Sequence, residues 1–505
     1  MAYLGIDIGT SGCKALVLSE TGEILATDTA TYDFDRPQFG WTEQDPRVWI
    51  TGARASVANV LQEVAAEQIV AVGLTGQMHG FTPVDRKGRV VRPAILWNDQ
   101  RNAAEAADIV ALAGGAEALL GLTNNDMLTG YTAGKILWMQ RHEPQLFEQV
   151  AHALNPKDYL RYVLTGEIAT EVSDASGTGL FDVRRREWSG DLLAKLPFDA
   201  GLLPECHESD VVSGQVSKSG AELFGLRPGT PVIGGGGDSV IQTLGTSVAR
   251  PGALQTTIGT GGIIAAALTS PADNPEGRLQ VFCNVAPDLW HCMGVSLNAG
   301  ASLSWLARLL DAGGDYAGLV KRAAEVPAGS EGLVFLPYLN GERCPHPDAT
   351  ARGAFVGLTG RHDAGHMTRA VMEGIVFAFY DMYQLMSRMG IRKSLIKASG
   401  GGAKSDLWRQ MQADLFDCPV VTTMGAAEGG AFGAALLTGV SCGAWSDVAE
   451  AALVCRDLSQ QGPDADRGDI YRKAFDVYAG LYTALRPSFN AIHENGAKTT
   501  GKQHE

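Results

Sequence analysis

An α/β protein built from two related lobes is predicted from three observations on this chain. Its 505 residues exceed what one hydrophobic core comfortably organises, so two or more domains are expected. Short apolar runs of strand character alternate with longer stretches of helical spacing, the pattern of a sheet covered by helices. A strand-turn-strand unit also occurs twice, at Asp7-Ile8-Gly9-Thr10-Ser11-Gly12 and at Thr257-Ile258-Gly259-Thr260-Gly261-Gly262, 250 positions apart (259 − 9). Two such hairpins half a chain apart predict related lobes facing one cleft.

Composition narrows the class. Hydrophobic residues at 45% and charged residues at 19% are ordinary for a soluble globular enzyme. The net charge of −15, from 41 basic and 56 acidic residues, argues against general binding of nucleic acid or of anionic membranes. Eight cysteines are scattered without a CxxC pair, so neither a zinc site nor a disulfide framework is indicated, and reduced thiols in the cytoplasm are expected. No apolar run reaches membrane-spanning length, and the first residues do not have the pattern of a signal peptide.

In chain order, Tyr3 to Ile8 alternates as a strand, Gly9 to Gly12 turns, and Lys14 to Leu18 returns. A hairpin tip rich in glycine and hydroxyls offers donors to an anion, as phosphate-binding nests do; an ordinary turn is the alternative. Asp7, just before this tip, can reach a phosphate-bound Mg²⁺, an ion that takes hard oxygen ligands and keeps several waters. Trp49 to Val64 has helical spacing. Ile69 to Leu74 reads as a buried strand ending in Thr75-Gly76-Gln77-Met78-His79-Gly80, at the strand end where α/β sheets meet ligands. There His79 and Gln77 are candidates to hydrogen-bond hydroxyls while Met78 packs a carbon face. Pro93 to Arg101 repeats the arrangement, with Trp97, Asn98 and Asp99 able to grip a polyol.

Thr132 to His142 is an amphipathic, core-facing helix, Asn155-Pro156 opens another, and Ser173 to Gly179 is expected to be a small polar loop. Pro231-Val232-Ile233 then feeds Gly234-Gly235-Gly236-Gly237-Asp238-Ser239 before a helix-like Val240 to Leu244. Four glycines leave the backbone open beside one carboxylate, so Asp238 is read as a catalytic base, with a helix N-cap as the alternative. Beyond the second hairpin, Asn298 to Leu306 is a small-residue helix start, and His366 to Met389 is a long helix closed by Gly390. Leu395 to Ala398 is a strand feeding Ser399-Gly400-Gly401-Gly402-Ala403, and Ser405 caps the next helix. Ala426 to Ala435 is a small-residue helix suited to close packing, and the chain ends in a polar tail.

Taken together these stretches resemble the FGGY family of carbohydrate kinases, over roughly residues 3 to 485. Gly130 to His142 is similar to the first family signature. Gly353 to Leu358, followed by His366-Met367 and Ala370 to Glu373, is similar to the second. The resemblance implies two ribonuclease-H-like lobes around a central cleft, of the actin and sugar kinase superfamily. It divides the chain into an N-terminal lobe over 1–245, a C-terminal nucleotide-binding lobe over 246–490 and a polar tail over 491–505.

By position, the resemblance makes Asp238 the general base and Met78, His79, Trp97, Asn98 and Asp238 the substrate contacts. Asp7 becomes the carboxylate near Mg²⁺. Thr10, Ser11 and Lys14 on the first hairpin fall to the ATP phosphates, as do Thr260 and Gly261 on the second. Gly300, Ser304, Gly402 and Ala403 fall where the family holds the nucleotide. Gln77-Met78-His79-Gly80, Ile95-Leu96-Trp97-Asn98-Asp99, Pro156-Lys157-Asp158-Tyr159 and Leu336-Pro337-Tyr338 are most similar to family members that phosphorylate the ketopentose D-xylulose. The implied activity is therefore MgATP-dependent phosphorylation of D-xylulose, with another polyol such as ribulose, gluconate or glycerol as the alternative and an actin-like ATPase switch as a remote one. Ser239 departs from the asparagine usual after the base, which bears on which sugar is held. Small-molecule partners are implied and neither nucleic acid nor membrane; a homodimer is left open.

Overall fold

The computed structural model describes residues 1–500. The chain forms two compact units. The first contains Met1–Arg250, Ala267–His291 and Met424–Arg456; the second contains Pro251–Ala266, Cys292–Thr423 and Asp457 onward. Residues 267–291 and 424–456, which the sequence division puts in the C-terminal lobe, thus pack in the first unit.

The first unit holds a seven-stranded mixed sheet. Ala2–Ile8 and Gly12–Ser19 form the expected antiparallel hairpin, and Ile24–Thr31 adds to its outer side. Ile69–Gly76 runs parallel to Ala2–Ile8, setting Asp7 opposite Thr75. Pro231–Ile233 and then Gly236–Gly237 run parallel to Ile69–Gly76, and Val212–Gln215 closes the edge. Alternation in Leu4, Ile6 and Ile8 sends these side chains into a core shared with Trp49, Ala53 and Val57 of the helix Pro46–Glu63.

Over the sheet lies the small-residue helix Gly430–Ser441. A Cβ on Gly5 would sit 2.0 Å from the Ala431 carbonyl oxygen, and one on Gly73 would sit 2.4 Å from that of Ala434. Strand glycines therefore let the helix backbone rest directly on the strands.

The second unit repeats the local topology. Gly252–Ile258 and Gly262–Leu268 form an antiparallel hairpin, and Lys393–Ser399 runs parallel to the first of them. Val420–Thr423 and Asp457–Gln461 extend that side. Thr257 stands opposite Ser399 much as Asp7 stands opposite Thr75. The turns differ by one residue: Gly9 N donates to Gly12 O at 2.9 Å, whereas Gly259 N donates to Gly261 O at 3.0 Å. The long helix spans Ala364–Arg388, its first turn capped by the Asp363 carboxylate.

Two expectations change. Ser173 to Gly179 is not wholly loop: Val172–Ser176 is a short helix, because the Glu171 carboxylate accepts from Ser173 N at 2.7 Å and Asp174 N at 2.9 Å. The tail expected at 491–505 begins inside the last helix, Ala465–Thr500; its final five residues lie outside the described residues.

Candidate active site

In the first unit, the strand end of Ile69–Gly76 and the glycine loop converge. Gly235 has φ 80°, and a Cβ there would lie 1.9 Å from the Leu74 carbonyl oxygen, so only glycine fits. A Cβ on Gly237 would lie 2.6 Å from both Cγ and Sδ of Met78, so the loop passes directly against that thioether. Gly237 occupies the N-cap position and Asp238 the first helical residue of Asp238–Gly245. The Asp238 carboxylate nonetheless accepts from Ser239 N at 2.6 Å, and the Ser239 hydroxyl donates to Met78 Sδ at 3.0 Å.

Asp7 and Asp238 share one environment. Burial raises the Asp238 carboxyl to about 7, the Asp7 charge adding to the rise and the Ser239 N–H opposing it. Burial likewise raises Asp7 to about 6, against the lowering influence of Lys14. A carboxylate near 7 is matched to proton abstraction at neutral pH. Asp7 Oδ1 is buried with no hydrogen-bond partner, and a Cβ on Gly430, at the N-terminus of the small-residue helix, would lie 2.8 Å from Oδ2. Among the described residues no group of three or more His, Cys, Asp or Glu is placed to hold a metal. Mg²⁺, which binds through one or two carboxylates together with phosphate oxygens and waters, fits the single open carboxylate of Asp7.

The remaining expected residues of this unit fall around the same loops. His79 has φ 67°; its Nδ1 lies 2.6 Å from the Gly177 carbonyl oxygen, and its ring packs against Tyr131 and Phe282. Thr10 Oγ1 donates to Gln77 Oε1 and accepts from Trp97 Nε1, each at 3.0 Å, tying the hairpin tip to two residues read as sugar-side. Ser11 is exposed on the tip, and Asn98 Oδ1 is buried without a partner. Lys14 is held by Glu428 at 3.1 Å.

The second unit gathers its own set. Gly300 N donates to Gly259 O at 2.8 Å and Ala301 N to Thr260 O at 3.0 Å, docking the helix Gly300–Leu309 on the second hairpin. A Cβ on Gly261 would lie 2.8 Å from Ser296 O, and one on Gly402 would lie 2.5 Å from Ile258 Cβ. Thr260, Gly261, Gly300, Gly402 and Ala403 thus surround one tip. Ser304, one turn along the Gly300 helix, accepts from the Tyr316 hydroxyl at 3.1 Å. Glu342 accepts from Ser296 Oγ and Leu297 N, and burial raises its carboxyl to about 7.

Sequence reasoning missed the support behind Asp238. The Lys157 ammonium is fully buried, 2.8 Å from Asp158, 3.3 Å from Asp174 and 3.5 Å from Glu171. Desolvation holds the Asp174 carboxyl well above its ordinary value despite Lys157. Ser173 Oγ donates to Glu171 at 2.9 Å and accepts from Gly237 N at 2.9 Å, fixing the residue before Asp238. Lys157-Asp158 and Ser173-Asp174 are visible as polar positions in two separate stretches, and nothing in their spacing joins them.

Residues 2–245 match the N-terminal domain of the FGGY family of carbohydrate kinases and residues 254–442 its C-terminal domain. The chain is 36% identical over 486 residues to a xylulose kinase of Escherichia coli, covering 96% of this chain and 99% of that one. A solved structure of a xyloylose kinase from Brucella ovis superposes with TM-score 0.91 at 35% identity, covering 96% of this chain and all of the other. A gluconate kinase from Lactobacillus acidophilus superposes with TM-score 0.92 at 27% identity, covering 97% and 99%.

Proposed function

The chain belongs to the FGGY family of carbohydrate kinases, and we propose that it transfers the γ-phosphoryl group of ATP to D-xylulose, giving D-xylulose 5-phosphate and ADP. The observation that carries this reading is the Asp238 carboxylate, raised to about 7 beside Asp7 at the end of a glycine loop that touches Met78. Asp238 accepts the proton of the terminal sugar hydroxyl as that oxygen attacks the γ-phosphorus. The bond from the γ-phosphorus to the bridging oxygen breaks, and ADP leaves.

Phosphoryl transfer asks little covalent chemistry of the protein, so positioning and charge carry the rate. Met78 and His79 hold the carbon and hydroxyl faces of the sugar, and Trp97 and Asn98 close its other side. Thr10, Ser11 and Lys14, with Thr260 and Gly261, donate to the phosphates. Gly300, Ser304, Gly402 and Ala403 receive the nucleoside. Asp7 would hold Mg²⁺, which would supply neutralisation of charge on the phosphoryl oxygens. The names of relatives at about 35% identity over their full length support xylulose as acceptor.

A second acceptor is favoured by one observation. Ser239 donates its hydroxyl to Met78 Sδ, so the side chain after the base is engaged by the thioether rather than by a sugar hydroxyl, which suits a different polyol. Purified protein with MgATP and a panel of D-xylulose, ribulose, gluconate and glycerol, read as ADP release, separates the two. The highest kcat/KM is expected for D-xylulose. Strong turnover of ribulose or gluconate with none of xylulose refutes the assignment.

A further inference from the structure

His79 has an unusual backbone for a non-glycine residue. Its φ of 67° lies in the left-handed region, where a side chain with a Cβ is strained and where strain concentrates at ligand sites. Its ring and the Met78 methyl both converge on Gly177, since a Cβ there would lie 2.6 Å from His79 Nδ1 and 3.1 Å from Met78 Cε. The strained peptide is gripped from one side. Lys135 Nζ donates to the His79 carbonyl oxygen at 2.7 Å, and Thr132 Oγ1 reaches the same oxygen at 3.2 Å. Lys135 also donates to the Gly130 carbonyl oxygen. Both donors stand on the helix Thr132–His142.

Lys135 is an odd choice for a purely structural position. Its side chain is wholly buried, and no carboxylate among the described residues lies within ion-pair reach of it. Asp99 and Arg101, the charges that act on it, are bound to each other at 2.7 Å and oppose one another. Burial therefore pushes the ammonium down to about 7, a cost that a Met or Leu at this position would avoid. What the site gains is a donor in either protonation state, aimed at one strained carbonyl.

We propose that Lys135 is a positioning residue for sugar binding, holding the His79 peptide in its left-handed geometry so that the imidazole is presented beside Met78. The inference rests on the reading that His79 contacts the sugar. The test is a double-mutant cycle on the full chain with D-xylulose and MgATP, using Lys135→Met, His79→Gly and the pair. Glycine at 79 removes the imidazole and also the strain that Lys135 opposes. Lys135→Met is expected to raise the sugar KM at least tenfold with the ATP KM within twofold, and to add nothing in the His79→Gly background. Lys135→Gln, which keeps a donor, is expected to recover part of the loss, and it carries the same cycle should Lys135→Met not fold. A sugar KM unchanged by Lys135→Met, or an equal loss in both backgrounds, overturns the positioning role while leaving the kinase reading intact. A sugar KM unchanged by His79→Gly overturns the sugar contact and the positioning role together.

Discussion

Replacing Asp238 by Asn should raise stability while sharply lowering turnover, and the gain should depend on pH in a way the site's electrostatics fix. Burial and the Asp7 charge raise the folded carboxyl to about 7 against 3.8 for the free group. A carboxyl whose folded value is raised holds its proton more tightly when folded, so ionising it costs stability. That cost is absent below pH 3.8, grows between 3.8 and 7, and is fully present above 7. Roughly three pH units at ~1.4 kcal/mol each give an upper figure of ~4 kcal/mol. Asn carries no charge and still offers an oxygen to Ser239 N, so the loop keeps its bond. Scanning calorimetry of the wild type and Asp238→Asn at pH 4, 6 and 8 should show melting temperatures that nearly coincide at pH 4. They should separate by several degrees in favour of the variant at pH 8. Turnover should fall by ~10² or more, the usual contribution of a general base. A gain independent of pH, or a loss of stability at pH 8, would refute the argument that this carboxylate is ionised at an energetic cost for catalysis.

Other outcomes follow from neighbouring contacts. For the wild type, kcat/KM for the sugar should rise with pH to a plateau above about 7; Asp7→Asn removes the like charge and should move that limb downward. Because desolvation outranks Asp7 as the cause, the limb should stay above the ordinary carboxylate value in a pH–rate profile. Gly237→Ala places a methyl 2.6 Å from Met78 Cγ and Sδ, and steady-state kinetics should show the sugar KM rising about tenfold with the ATP KM unchanged. Ser173→Ala strands the buried Gly237 N–H and should cost about 1–3 kcal/mol in denaturant unfolding, while Ser173→Thr, which keeps the hydroxyl, should recover most of it.

Much of the fold and some of the site were legible because their signals are local. The paired hairpins are written in alternation and in Gly-Thr turns, and the loop before Asp238 in four consecutive glycines. The segment Ser173-Asp174-Ala175-Ser176-Gly177 reads as a turn because Ser, Asp and Gly compete with helix backbone bonds; Glu171, outside the segment, supplies the cap that makes it helical. The cluster behind Asp238 joins positions 157, 158, 171 and 174 to Gly237 through Ser173, and no spacing rule connects those numbers. Lys14 reads toward a phosphate on its place in the hairpin, and its ion-pair partner Glu428, more than 400 residues away, leaves no local signal. Lys135 was read as part of an amphipathic stripe, and only the strained peptide at His79 shows what its ammonium holds.

The helix Gly430–Ser441 has a consequence for how the protein is made. It lies backbone to backbone on Gly5 and Gly73, yet some 350 residues separate it from the strand it covers. During synthesis the first hairpin and its parallel partner emerge early, with a glycine-floored face that nothing nearby in sequence can fill. That face waits until residues 424–456 leave the ribosome, so the N-terminal unit is finished nearly last. A fragment cut after residue 250 would carry the strands and the base loop but lack their cover, and would be expected to collect in aggregates where the intact chain stays dispersed.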